Sequence, residues 1–368
     1  MGKLAFAWSY IFILLGMICL VQQVVAQPQS SSPVPLSPQE IAQLRAKAEA
    51  GNPDAQLKFG MACEDGNGFV QNDQEALKWY KAAAQQGNAT AQNRVGLMFR
   101  SGRGVEQDKR EAVQWYRKAA QQKNPAAVFN LGTAYYNGDG VGIDDTAAYA
   151  WFLLARDLGI EPAADAVRRI EKELRYSQAF GFEKIGDMYQ KGEELPQSYS
   201  DAVNWYRKAA EKGEAPVQMK LAGLILQGQG GTPDYQEAHR LCEKAAKLRY
   251  SPGAFCMGLL YRQGLGVAPD PSRAAKWFSE AANMGHALAM LRLGQMYWKG
   301  EGVKMNKISA YQFIVLASAD LPEARGDKEL LEKELNPKEL EKGKAKAIEW
   351  DREHHPLVML RRKPRSVN

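Results

Sequence analysis

Apolar residues along most of this chain fall into two alternating helical registers, separated by short links that carry glycine. In residues 91–122, AQNRVGLMFRSGRGVEQDKREAVQWYRKAAQQ, Val95 stands four residues before Phe99, and Ala112, Trp115 and Ala119 follow at i, i+3 and i+7. Each spacing predicts an amphipathic helix with one buried stripe. Between them lies Ser101-Gly102-Arg103-Gly104-Val105, whose glycines can adopt the positive φ of a tight antiparallel turn.

The unit recurs. With Gly96 as origin, the same position is Gly60, Gly96, Gly132, Gly186, Ala222, Gly258 and Gly294, and every step is 36 residues except one of 54. The apolar pairs recur with it, as Leu131 with Tyr135 and Leu293 with Tyr297. A period of this length predicts a stack of two-helix units, each too small to bury its own apolar face. The tryptophans Trp79, Trp115, Trp151, Trp205 and Trp277, each three residues after an alanine on the second helix, are expected in the core.

The pattern A-x-x-x-L-G-x-x-Y-x-x-G-x-G-V-x-x-D-x-x-x-A-x-x-W-x-x-A-A-x-x-G resembles the Sel1-like repeat, a relative of the tetratricopeptide repeat. The resemblance covers about three quarters of the chain. It implies an all-α fold, an α/α solenoid or superhelix of about seven helix-turn-helix repeats with capping helices. Two repeats depart from the pattern: Glu194 stands for the second loop glycine of the fourth, and the fifth has Ala222 for glycine and Leu241 for tryptophan.

Several segments lie outside the repeats. Residues 1–26 read as an export signal, with Lys3 before an uncharged run over 4–21 and Val24-Val25-Ala26 ahead of the expected cut; an uncut membrane anchor over 4–21 is the alternative. Either reading places the remainder outside the cytoplasm, periplasmic or secreted. Residues 27–37 form a Pro/Ser/Gln-rich linker, and Ser37-Pro38-Gln39-Glu40 opens a capping helix with the pattern of a capping box. Repeats one to three and an extra helix starting at Pro162 span 38–178; repeats four to seven and their terminal helices span 179–350; 351–368 is a basic disordered tail. The extra helix closes with Ile170-Glu171-Lys172-Glu173-Leu174, nearly repeated as Leu331-Glu332-Lys333-Glu334-Leu335, so both segments are expected to end alike. The last helix is expected to dock through Leu340, Ile348 and Trp350.

Charge and candidate chemistry narrow the function classes. The net charge is +6, but Arg361, Arg362, Lys363 and Arg365 supply four of those charges, so the array is near neutral and nucleic acid is not an expected partner. The Gly-x-Gly loops recur in nearly every copy without a following Lys-Ser/Thr, which reads as turn structure rather than a phosphate cradle. Asp108, Asp144, Asp234 and Asp270 precede second helices as caps. His239, His286, His354 and His355 lack metal-ligand spacing, so no catalytic residue, cofactor or metal is expected.

Cys242 and Cys256 fall on antiparallel neighbouring helices and can either bridge or pack as small apolar residues; Cys63 sits in a core column. Two residues before the origin stand Lys58, Arg94, Asn130, Lys184, Lys220, Cys256 and Arg292, mostly basic, and four after it Arg100, Tyr136, Arg262 and Trp298. In similar repeat proteins first helices line the concave surface, so this set is the candidate binding face for an acidic protein or peptide segment. The alternative is that each basic stem lies across the adjacent helix. The resemblance implies a non-catalytic adaptor, and with the N-terminal segment the chain is expected to be an exported monomer. A cell-envelope hydrolase or wall-binding factor is the runner-up, since similar proteins are linked to β-lactam chemistry, but no Ser-x-x-Lys motif supports it.

Overall fold

The computed structural model describes residues 36–354 apart from 69, 175 and 176. The export segment, most of the linker, and the tail from 355 lie outside the described residues. Among these there are eighteen α-helices and no strand, the all-α hairpin stack expected. The chain divides into two compact units, Met1–Tyr176 and Ser177–Asn368.

The first unit holds α1 (Pro38–Glu49), α2 (Pro53–Asp65), α3 (Asp73–Gln85), α4 (Ala89–Ser101), α5 (Lys109–Gln121), α6 (Pro125–Asn137), α7 (Asp145–Asp157) and α8 (Glu161–Leu174). The second holds α9 (Gln178–Lys191), α10 (Tyr199–Ala210), α11 (Ala215–Leu226), α12 (Tyr235–Lys247), α13 (Ser251–Gln263), α14 (Pro271–Asn283), α15 (Ala287–Lys299), α16 (Lys307–Ala317), α17 (Ala324–Glu334) and α18 (Pro337–His354). Hairpins one to three are α2/α3, α4/α5 and α6/α7, and hairpins four to seven are α9/α10, α11/α12, α13/α14 and α15/α16.

Local chemistry sets the helix ends. Ser37 and Glu40 form the reciprocal capping box at α1. Asn52, Asn88 and Asn124 cap the first helices of hairpins one to three, and Asp108, Asp144, Asp234 and Asp270 each accept a backbone N–H at the start of a second helix. First helices stop at a left-handed glycine such as Gly102, with φ 73°. Its neighbour Gly104, at φ 67°, lies against the backbone of Asp73 at the start of the preceding hairpin's second helix, where no side chain fits.

The deepest contact of each hairpin is one residue away from the expected tryptophan. A Cβ built on Gly96 would come within 2.6 Å of the Tyr116 ring. The same approach joins Gly60 to Tyr80, Gly132 to Phe152, Gly186 to Tyr206, Gly258 to Phe278 and Gly294 to Ile314. In hairpin five both partners change, to Ala222 and Cys242. Tyr80, Tyr116, Tyr206 and Phe278 are at most 1% exposed. Trp79, Trp151 and Trp205 are buried as expected, but Trp115 and Trp277 are only half-buried, while the residue after each is drawn in against the glycine. Trp115 lies at the rim, donating Nε1–H to Glu111 at 2.9 Å beneath the Lys118 ammonium.

The two units close alike. Tyr149 donates to Glu171 at 2.7 Å and Tyr311 to Glu332 at 2.9 Å, with Ile170 and Leu331 buried beside them. In the second unit α18 adds a further layer through Gly343, Ala347 and Trp350, spaced i, i+4, i+7. Ile348, expected on this face, is 49% exposed because it sits one residue off that stripe. The helix also runs past Trp350 to His354, whose ring stacks on Trp350 at 4.4 Å, so the start of the expected disordered tail is helical.

The relative depth of the two aromatic columns is testable. Tyr116→Ala is expected to cost ~3–5 kcal/mol, the usual range for a large core aromatic, and Trp115→Ala clearly less. Urea denaturation of both variants measures this, and a larger loss at Trp115 would reverse the assignment.

Candidate functional site

The candidate face is built by the first helices, and four of its nine residues, Arg94, Arg100, Lys220 and Arg262, link successive hairpins. Arg94 on α4 reaches back to Glu64 on α2 at 3.3 Å. Glu64 also accepts from Tyr80 at 2.6 Å and from Arg103 at 2.8 Å, and Arg103 forks onto Asp73 at 2.6 and 3.1 Å. In the second unit Lys220 on α11 binds Glu183 at 2.7 Å and Asp187 at 2.8 Å on α9. Burial works against the Lys220 ammonium, yet the two acids hold its pKa above the ordinary lysine value.

The positions four after the origin meet the next hairpin's loop, seven after its own origin. Arg262 grips Glu301 with two hydrogen bonds of 2.8 and 2.9 Å. Arg100 lies 3.6 Å from Asp139, which Lys109 also contacts at 2.7 Å. Glu64 and Arg103 make the same connection with the charges exchanged. The corresponding positions in the remaining two junctions are Gln190 with Gln229 and Leu226 with Leu265, so each junction carries a matched pair of types. Sequence columns read one repeat at a time hide this match, which appears only at a spacing of 39 residues.

The other candidates are dispersed. Arg292 donates to Gln295 at 3.0 Å, and Gln295 in turn donates to Asp327 at 2.7 Å. Trp298 donates to Glu334 at 3.2 Å and Asn130 to Asn93 at 2.9 Å; Tyr136 is half-buried. Lys58 is exposed and Lys184 half-buried, and neither has an ion-pair partner among the described residues. Both stand on the first hairpin of their unit, where no earlier repeat supplies an acid. The structure pairs Cys242 with Cys256, Cα atoms 5.8 Å apart, and leaves Cys63 free and buried with its thiol pushed up to about 11 by burial. His286 serves as a helix cap, accepting from Ala289 N–H at 3.3 Å. Among the described residues no helix is long and apolar enough to cross a membrane, and no cluster of His, Cys, Asp or Glu has the arrangement of a metal site.

A stack of α/α hairpins stitched at one register is a helical repeat scaffold. The Sel1 repeat model matches seven segments, residues 53–88, 89–124, 125–160, 183–214, 215–250, 252–286 and 287–319. These cover more than half of the chain, which belongs to the Sel1 repeat family. Among solved structures, a Sel1 repeat protein from Oxalobacter formigenes is 29% identical, with 80% of each chain covered and a TM-score of 0.39. A protective antigen present in uropathogenic Escherichia coli strains, described as displaying an SLR fold, is 22% identical over 89% of this chain and 98% of that one, with a TM-score of 0.27. Membership rests on the matched repeats and not on these superpositions. A comparison with curated proteins finds no match. Sel1 repeats generally mediate protein–protein interaction and form non-catalytic scaffolds.

Titration tests the junctions. Hydrogen bonds from Arg262 hold the Glu301 carboxyl below its ordinary value, and those from Arg103 do the same for Asp73. A carboxylate with a depressed folded pKa stabilises above its unfolded value, and that contribution fades as pH falls through the depressed one. Arg262→Gln is therefore expected to lower the melting temperature at neutral pH and to flatten its decline from about pH 5 to about pH 3. Thermal melts across that range check this; an unaltered slope would show that the pair does not contribute.

Proposed function

We propose that the chain is a non-catalytic scaffold that holds an acidic protein or peptide segment on the first-helix, concave side of its stacks. The observation that supports this most is the uneven pairing along the basic column. Arg94 and Lys220 are occupied by acids of the preceding hairpin, whereas Lys58 and Lys184, on the same register, have no acid partner among the described residues. A stacked surface is preformed, so a ligand binding there orders few groups on the scaffold side. Free cations on such a surface steer an acidic partner in a salt-dependent way. We further propose that the chain is exported, from the uncharged run over residues 4–21 and the Cys242–Cys256 pairing.

The two kinds of cation separate folding from binding. Partner captured by cross-linking from native envelope material is expected to associate at least about tenfold more slowly with Lys58→Glu/Lys184→Glu at low salt, with circular dichroism and melting temperature unchanged. Arg94→Glu places another carboxylate beside Glu64, and Lys220→Glu adds one beside Glu183 and Asp187; both are expected to lower the melting temperature by several degrees. Normal association of the Lys58/Lys184 variant at low salt would move the binding site off this face.

A further inference from the structure

We propose that the Cys242–Cys256 disulfide is a thiol-responsive joint between hairpins five and six, closed when oxidised and opened by a dithiol reductant. The bond runs from α12 to α13, across a junction and not within a hairpin, and closes a separation of 14 residues. The other junctions within each unit are crossed by an ion pair; among the described residues none crosses this one, where the polar link is Gln236 Nε2–H donating to Gly266 O at 2.6 Å.

Five columns also depart from the pattern in hairpins five and six themselves. The glycine contact of the other hairpins, with a ring in five of them and Ile314 in hairpin seven, is replaced by Ala222 and Cys242, and Cys242 at the aromatic place is bridged. Tryptophan is replaced by Leu241. In hairpins one and two a buried glutamine side-chain oxygen is satisfied from the helix end 30 residues on, Gln86 to Gln56 and Gln122 to Gln92, each at 2.8 Å. In hairpin five the equivalent donor is Leu248, 56% exposed, and the buried Gln218 Oε1 has no partner. The column occupied by the buried Leu77, Val113 and Val203 holds His239, whose buried Nε2 is also without a partner. Finally, α11 and α13 begin at Glu214 and Tyr250 with no side-chain cap, although every other first helix has one from Asn, Ser or His.

Uncapped helix starts and unsatisfied buried groups lower the free energy of local opening. Here the covalent bond offsets them. Cys242 and Cys256 are 0% and 5% exposed, so a reductant reaches the sulfurs from the locally opened state. In the exchange, a thiolate of the dithiol attacks one Sγ, the Sγ–Sγ bond breaks and a mixed disulfide forms. The second thiol then closes the reductant's own disulfide, and the two electrons and two protons end on Cys242 and Cys256. Without the bond the junction retains its apolar packing, the Gln236 Nε2–H to Gly266 O hydrogen bond of 2.6 Å and the His239–Tyr261 ring contact but no ion pair among the described residues, and hairpins five and six part more readily than the other neighbours of their unit.

Hydrogen exchange followed by mass spectrometry on the intact chain, oxidised and after dithiothreitol, tests this. Peptides within 215–263 are expected to exchange at least about tenfold faster after reduction, while those within 89–137 change by less than about twofold. Unchanged exchange in 215–263, an equal rise across 178–354, or peptide maps of oxidised protein with both thiols free would each overturn the proposal. A variant keeps the test independent of reductant: Ala222→Gly/Cys242→Tyr/Cys256→Ala restores the ring and glycine and is expected to protect 215–263 as the oxidised protein does. Exchange of that variant at the rate of Cys242→Ala/Cys256→Ala would show that the disulfide does not stand in for the missing contact.

Discussion

Six of the seven hairpins depend on the absence of one side chain. Where Gly96 lies against the Tyr116 ring, the hydrogen in place of a methyl group lets two helix backbones approach closely around an aromatic; four other hairpins repeat the contact with a ring and hairpin seven with Ile314. Tyr116 is thereby fixed as the most buried ring of its hairpin, and the tryptophan before it is turned to the flank. That geometry also decides which first-helix positions look outward and which meet the next hairpin. Burying a ring this size contributes on the order of several kcal/mol, far above the ~0–1 kcal/mol of an exposed ion pair, so the apolar interlock sets the fold and the charges adjust to it.

The charges nonetheless carry information. A two-helix unit has no stable existence alone, and its specificity for a neighbour must be written at the junction. Glu64 with Arg103, Arg100 with Asp139 and Arg262 with Glu301 perform this at one register with either polarity. Like charges would meet if repeats exchanged places, since Arg100 brought against an Arg103-type loop would repel. The same register explains why Lys58 and Lys184 are left over: they stand in the column of Arg94 and Lys220 but have no hairpin before them in their unit.

Much of this was legible in the sequence. The 36-residue step, the Asn and Asp caps, the Ser37/Glu40 box and the matched Ile170 and Leu331 ends all depend on local spacing, and the helices begin and end accordingly. The depth of Tyr116 against Trp115 was not, because an i, i+3, i+7 stripe does not reveal which of two adjacent aromatics faces a glycine on another helix. Ile348 was misplaced for a related reason, being apolar but off the stripe of Gly343, Ala347 and Trp350. The basic column was visible as a column, yet its acids lie 30 to 37 residues away on other hairpins, and pairing at that distance appears only once the stacking register is known.

The central claim is that glycine and ring are one interlocking device. A double-mutant cycle on hairpin two tests it most directly, with Gly96→Ala, Tyr116→Cys and the pair together, the last reproducing the natural combination Ala222 and Cys242. The account predicts that Gly96→Ala alone costs ~1–3 kcal/mol by overpacking. In the Tyr116→Cys background, where a smaller thiol replaces the ring, that cost falls to near zero, a coupling of at least ~1 kcal/mol in urea denaturation. Additive losses in the double variant would contradict it.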